Sequence, residues 1–166
     1  IAVPVGIIVG RFELNRAVIR QKGADTELLA VDSLFLALSA HGDRISVEDL
    51  QLQTPEYAVT LRGKVQFADD WPVSVAGEYR LHQEGVADVR GALSLSGSLE
   101  APEADVEILE PVHVRLHGNG ADVLNNLSWQ LTASAQEFSP SAINDQWPEL
   151  ALELQLSSEG TLDQYQ

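Results

Sequence analysis

The sequence predicts an all-β chain, a long antiparallel meander whose strands each carry one apolar and one polar face. Three observations predict it. Apolar and polar residues alternate with period two. Tyr57, Val59, Leu61, Gly63, Val65 and Phe67 interleave with Ala58, Thr60, Arg62, Lys64 and Gln66, and the parity resumes at Trp71, Val73, Val75, Gly77, Tyr79 and Leu81. Successive side chains of a strand point to opposite faces, so each run offers one greasy side and one wet side. Short turn signals separate the runs and long crossover helices are missing, so neighbours pair antiparallel. The strands are also long: a run such as Tyr57 to Phe67 reaches about 35 Å, roughly twice an ordinary strand.

About nine strands are expected. The first runs from about Gly6 to Arg20, with Phe12 and Leu14 against Arg11 and Glu13, and Gly23 and Asp25 turn it. Leu34, Leu36 and Leu38 share a face of the second, Leu28 to Ala40, which His41-Gly42-Asp43 ends. In the third, Ile45 to Gln53, the parity slips between Val47 and Leu50, the sign of a bulge, and Pro55 ends it. The two runs quoted above follow, joined through Ala68-Asp69-Asp70. Val86 to Glu100 puts Val89, Gly91, Leu93, Leu95, Gly97 and Leu99 on one side, and Pro102 and Glu103 break it. Val106 and Ile108 lead to Glu110-Pro111, after which Val112, Val114 and Leu116 resume. Gly118-Asn119-Gly120 reads as a turn, with a short helical turn from Ala121 to Asn126 after it. Leu127, Trp129, Leu131, Ala133 and Ala135 make the next strand, and Leu150, Leu152, Leu154 and Leu156 the last. Two Trp-Pro dipeptides, at Trp71 and Trp147, each precede an alternating run and hint at a repeat.

Composition narrows the function. Net charge is −15, from 25 acidic against 10 basic residues. Such a surface repels phosphate backbones and anionic headgroups, so nucleic acid is not an expected partner. Solubility is the plain reading of the charge. The chain has no Cys, which removes disulfides and thiol chemistry. No run reaches the roughly 18 apolar residues of a spanning helix. The chain starts at Ile1 without a Met, which suggests an excised segment or a processed product; its opening has neither the basic start nor the cleavage site of a signal peptide.

Something must cover the apolar face, and three solutions exist. The meander can fold as a β-sandwich, close into a barrel, or curl into a trough that leaves its wall available. Sandwiches are the commonest of these; strands this long suit a ligand-binding barrel or a trough better. Gly63, Gly77, Gly91 and Gly97 stand at inward parity, where glycine permits a sharp bend or leaves space beside the wall, or marks an ordinary bulge or corner.

Catalytic signals are missing. His113 and His117 have metal-like spacing, but on a strand four residues set their rings about 13 Å apart, far beyond a shared zinc ion. Asp69-Asp70, Glu48-Asp49 and Glu103-Ala-Asp105 are acidic groupings at turns or strand ends, where solvated acids are ordinary. No nucleophile elbow, phosphate loop or dinucleotide fingerprint occurs. The chain is expected to be no enzyme and to hold no catalytic residue, metal or cofactor.

Two stretches resemble a known family. Val47-Glu-Asp-Leu50-Gln-Leu52-Gln-Thr-Pro55, Tyr57 to Gly63 and Trp71-Pro72-Val73 to Leu81 are similar to repeat units of the TamB family, within the wider AsmA-like group. So are Leu127-Ser-Trp129-Gln-Leu131, Phe138-Ser-Pro140, Trp147-Pro148 through Leu154, and Gly160. The resemblance implies a middle repeat segment of a periplasm-spanning protein anchored in the inner membrane of a Gram-negative bacterium. It implies a U-shaped β-taco with a continuous hydrophobic interior, a TamA-like outer-membrane assembly barrel as partner through parts outside this stretch, and phospholipid as cargo. The chain departs from the family in extent, with neither the anchor helix nor the carboxy-terminal docking domain assignable. Residues 1–166 then form one repetitive β-sheet segment.

On that basis the expected role is a segment of a lipid conduit supporting outer-membrane biogenesis. Acyl chains would run along Tyr57, Val59, Leu61, Val65, Phe67, Val73, Val75, Tyr79, Leu81, Val89, Leu93, Leu95, Leu99, Leu127, Trp129, Leu131, Leu150, Leu152, Leu154 and Leu156. Each buried methylene contributes about 0.8 kcal/mol. The alternatives are an assembly factor that aids insertion of outer-membrane proteins or autotransporters by β-augmentation, and a closed sandwich with an architectural or adhesive role. Open edges and an apolar wall also favour self-association of the isolated segment.

Overall fold

The computed structural model describes residues 3–20, 27–123 and 126–161, with the backbone alone for 3–9, 19–20 and 27–29. Ten strands form one sheet in sequence order, every neighbouring pair antiparallel. They are β1 (Val3–Arg20), β2 (Glu27–Gly42), β3 (Arg44–Gln53), β4 (Tyr57–Gln66), β5 (Val73–Leu81), β6 (Val89–Gly97), β7 (Pro102–Glu110), β8 (Val114–Ala121), β9 (Ser128–Phe138) and β10 (Leu152–Thr161). The only helical element among the described residues is a 3₁₀ turn, Pro140–Ala142, in the β9–β10 connection.

The meander and its two-faced strands are as the alternation predicts. Of the three ways to cover the face, two are excluded. Among the described residues no second layer packs on the sheet, since sizeable contacts join only consecutive strands, and that removes the sandwich. The edge strands β1 and β10 do not pair, and that removes the closed barrel. What remains is one open sheet, the architecture of a curled meander or groove.

A single layer has almost no core. Among the described residues only Val31, Ala40, Val73, Ala135, Thr54 and Gly91 are buried, and no large side chain is fully so. The surface area is 11776 Å², whereas a folded monomer of 18.0 kDa exposes about 8,000 Å². About 3,700 Å² more is therefore open than a globular chain of this mass leaves.

Three devices hold the layer together. The first is the backbone ladder itself. The second is glycine set beside bulk. A Cβ on Gly63 would lie 2.7 Å from the Ser74 carbonyl oxygen and 2.8 Å from Val75 Cγ2. One on Gly77 would strike the Thr60 oxygen and Leu61 Cδ2, and one on Gly91 the Glu107 oxygen and the Tyr79 phenol. These glycines are regular ladder positions, and a large side chain from the next strand leans over each, which is how sheets rescue inward glycine. The space the sequence suggested beside the wall is thus filled from the neighbouring strand. Gly97 differs, ending β6 at φ 91°. The third device is turn-to-turn hydrogen bonding along the rims. Phe67 N–H donates to Asp43 O (2.6 Å), Leu99 N–H to Trp71 O (3.1 Å), His82 N–H to Glu56 O (2.6 Å) and Ala87 N–H to Ile143 O (3.0 Å). Thr54, buried after β3, receives the amides of Glu56 (3.2 Å) and Tyr57 (3.0 Å) on its hydroxyl and so fixes the β3–β4 turn.

Several local expectations change. Gly118-Asn119-Gly120 is strand, not turn: Asn119 pairs with both Glu103 and Gln130, because pairing on two sides outweighs the turn preference of the tripeptide. The strand before Pro102 ends as expected, at Gly97, and Pro102 itself opens β7. The run around Glu110-Pro111 splits into two strands at a cis peptide bond, making ten rather than nine. The two Trp-Pro dipeptides lie in the β4–β5 and β9–β10 connections, at opposite ends of an antiparallel sheet, so they are not equivalent repeat positions. The bulge between Val47 and Leu50 is present. Asn126 N–H donates to Asp122 O at 3.0 Å, one helical-type bond where a short helical turn was expected. The expected turn at Gly23 and Asp25 lies outside the described residues.

The glycine pairing gives a direct test. Gly77→Ala forces its Cβ into backbone and should lower stability by about 1–3 kcal/mol. Gly118→Ala, whose Cβ meets Leu131 Cδ1 at an ordinary 3.5 Å, should be neutral or stabilising by about 0.5 kcal/mol. Urea unfolding of the two variants checks both.

Candidate functional site

The candidate site is the apolar face, and the strand register assembles it. Residues directly opposite across an antiparallel pair share a face. Following partners from strand to strand gives an unbroken row: Leu14, Leu34, Leu52, Val59, Tyr79, Gly91, Ile108, Val114, Ala135, Leu154. A second row runs Phe12, Leu36, Leu50, Leu61, Gly77, Leu93, Val106, Leu116, Ala133, Leu156. A third goes from Leu38 through Val47, Gly63, Val75, Leu95, Ala104 and Gly118 to Leu131 and closes on Ser158. Two rows therefore cross all ten strands without a charged side chain, the Tyr79 phenol being their one polar group.

Bulges keep the rows continuous. Between Leu50 and Val47 the spacing is three residues, and the slip in β3 against its partners absorbs the extra one. In β7 the same device sits between Ile108 and Glu110, and it sends Leu109 to the other side, where it is 52% exposed. In β9, Glu137 at φ 53° lies where Phe138 pairs with Leu152 while Ala135 pairs with Leu154.

Sixteen of the expected lining residues stand in strands at the common parity: Tyr57, Val59, Leu61 and Val65 in β4; Val73, Val75, Tyr79 and Leu81 in β5; Val89, Leu93 and Leu95 in β6; Trp129 and Leu131 in β9; Leu152, Leu154 and Leu156 in β10. Four stand outside strands, because those strands are shorter than the alternation suggests. Phe67 follows β4 and packs edge-on against Trp71 (centroids 5.0 Å apart). Leu99 lies in the β6–β7 connection, and Leu127 and Leu150 precede β9 and β10. The sequence reading left β1, β2, β3, β7 and β8 out of the lining, although the same parity marks Leu34, Leu50, Val106 and Leu116.

Exposure rises toward the edges. Phe12 (46%) and Val18 (48%) in β1 and Leu154 (47%) and Leu156 (58%) in β10 are the open ends of the face, with a neighbouring strand on one side only. Tyr79 sits mid-sheet with its phenol over Gly91, and burial pushes its pKa above the ordinary value.

The opposite face is polar and ion-paired. His82 meets Asp88 (2.6 Å), His113 meets Glu107 (2.6 Å), His117 meets Asp105 (2.8 Å), and Arg115 donates to Glu107 (3.0 Å). His113 and His117 thus face separate carboxylates, and no group of three or more potential ligands gathers among the described residues. No helix there is long and apolar enough to cross a membrane. The hydrogen bond from His82 holds the Asp88 carboxyl below the usual carboxylate range, and hydrogen bonds from His113 and Arg115 do the same for Glu107.

Those depressed values fix a pH effect. Their contribution is present above the unfolded carboxylate pKa and is lost as pH falls through the lower folded values. Glu107→Gln should lower the urea midpoint at neutral pH, and its difference from the parent should shrink on acidification through that window. The groups are exposed, so added salt should blunt the effect.

Searches of curated proteins and of solved structures return no match. A family model does match, described as the N-terminal domain of TamB, where the sequence reading had placed a middle repeat segment. It covers residues 1–166, end to end, on a chain whose sheet carries its apolar rows from edge to edge, and the chain belongs to the TamB family.

Proposed function

We propose that this chain is a segment of a periplasmic bridge that carries phospholipid between the inner and outer membranes along its apolar face. The observation that supports the reading is the pair of ten-residue apolar rows with no layer of the described chain upon them. An acyl chain laid on such a wall gains about 0.8 kcal/mol per methylene buried. The contacts are uniform along the row, so an acyl chain meets no deep minimum and can slide. The role is binding and passage, with no catalysis. In this reading the full protein is anchored in the inner membrane of a Gram-negative envelope and works with a TamA-like outer-membrane barrel through regions outside this stretch.

The test is a charge on the wall. Leu95→Asp, mid-sheet between Val75 and Ala104, and Leu152→Asp, in the edge strand, should abolish lipid co-purification, read by organic extraction and lipid mass spectrometry, while far-ultraviolet circular dichroism stays that of the parent. Normal lipid recovery from folded variants would refute the conduit.

A second reading has its own observation. Among the described residues β10 pairs with β9 alone, and such a strand edge can receive an extended strand by β-augmentation. An assembly factor for outer-membrane proteins would use that edge. Proline substitutions in β10 should then impair client insertion more than Leu95→Asp does; the reverse ranking favours lipid.

A further inference from the structure

The chain has 25 acidic residues against 10 basic ones, yet among the described residues no ion pair or hydrogen bond engages the side chains of Arg16, Arg44, Arg62, Lys64 or Arg80, whereas Arg11, Arg90 and Arg115 each have a carboxylate. Arg44 and Lys64 are set apart by sharing one hollow. Both lie on the polar face where β3, β4 and β5 meet. Arg44 stands opposite Gln66, and Lys64 stands between Ser46 and Ser74. With Pro72 and Val73 they line a hollow of about 200 Å³ that no carboxylate lines. The nearest acid in the turn, Asp43, is already engaged by the Gln66 side-chain amide (2.8 Å). Two like charges on neighbouring strands repel at a cost, and an anion between them converts that cost into attraction.

We infer that this hollow is a binding site for a phosphate-class oxyanion. The guanidinium of Arg44 offers a planar fork and the ammonium of Lys64 a compact charge. The Ser74 hydroxyl adds a neutral donor. Donors on three neighbouring strands around one hollow suit an oxyanion with acceptors in several directions. Arg62 lies farther along β4, across from the β3 bulge that carries Glu48 and Asp49, and is left out of the site on that ground.

The position adds meaning. Val73 also ends the apolar row Ala40, Ile45, Val65, Val73, so the hollow backs onto one end of the greasy face at the β4–β5 rim. A phosphodiester held here keeps attached acyl chains within reach of that face. The oxyanion site stands independently; only its assignment to a lipid headgroup rests on the conduit reading.

The test titrates the chain with inorganic phosphate at constant ionic strength and follows backbone amide shifts. Saturable shifts at Arg44, Lys64, Gln66 and Ser74 are expected, weakened about tenfold or more in an Arg44→Ala, Lys64→Ala double variant and unchanged in Arg115→Ala. Equal shifts with chloride, or a double variant that binds as the parent does, would overturn the site. Dihexanoyl phosphatidylglycerol then separates the sources: displacing phosphate assigns a headgroup, and failing to displace it assigns a free phosphate. Leu95→Asp should leave the phosphate shifts intact whatever it does to acyl chains, so this site and the conduit reading can fail separately.

Discussion

A sheet one layer thick has no interior, and the rest of this molecule answers to that constraint. Globular domains gain stability by pressing two apolar surfaces together. Here the described residues supply only one. Cohesion has to come from within the layer, along directions that a core would otherwise make unimportant. Backbone hydrogen bonds run from β1 to β10 without a gap in strand order, and apolar contact is made sideways, each side chain against its partners on the two flanking strands. The low burial follows directly: a side chain flanked on two sides and open above is part-covered, which is the state of most residues in the two rows away from the edge strands.

Sideways packing explains the glycines. A row of ten bulky residues at strand spacing would crowd, since directly opposed Cβ atoms lie only about 4.5–5.5 Å apart. Each of the three long rows is interrupted by glycine, at Gly91, Gly77, and Gly63 with Gly118, and at each a neighbour occupies the room. The wall is thereby smooth as well as apolar. The same logic accounts for the bulges at Val47–Leu50 and Ile108–Glu110: a one-residue slip without them would turn the remainder of a row to the polar side.

The legibility of the chain divides along the same line. Period-two alternation is a property of single strands, so strand identity, the common parity of sixteen of the twenty expected lining residues and the β3 bulge could all be read from the sequence. Family membership was legible too, in the degenerate Trp-Pro and alternating-strand patterns. Strand ends were not. Leu99, Leu127 and Leu150 continue the alternation by parity yet fall in connections, because an end is set by where the partner strand stops, which is a pairwise property. Gly118-Asn119-Gly120 misled for the same reason. In isolation it favours a turn; between β7 and β9 it has ladder partners on both sides. The expected lining counted only the cleanest runs and so left out Leu50 and Val106, which the register places in the same rows.

The two faces also divide the chemistry. On the proposed conduit reading the wall holds no fixed charges, which would trap water and impose barriers along the path. All the described ion pairs beyond the rims accordingly sit on the other side, where His117–Asp105 and Arg115–Glu107 form cross-strand pairs that steady the sheet at small individual gain. Arg44 and Lys64 take no carboxylate and line one hollow together on that side. An amphiphile has the complementary division, a charged head joined to an apolar tail. A sheet that offers two cations on one side of a strand end and the start of an apolar row on the other matches both halves while keeping the charges off the wall.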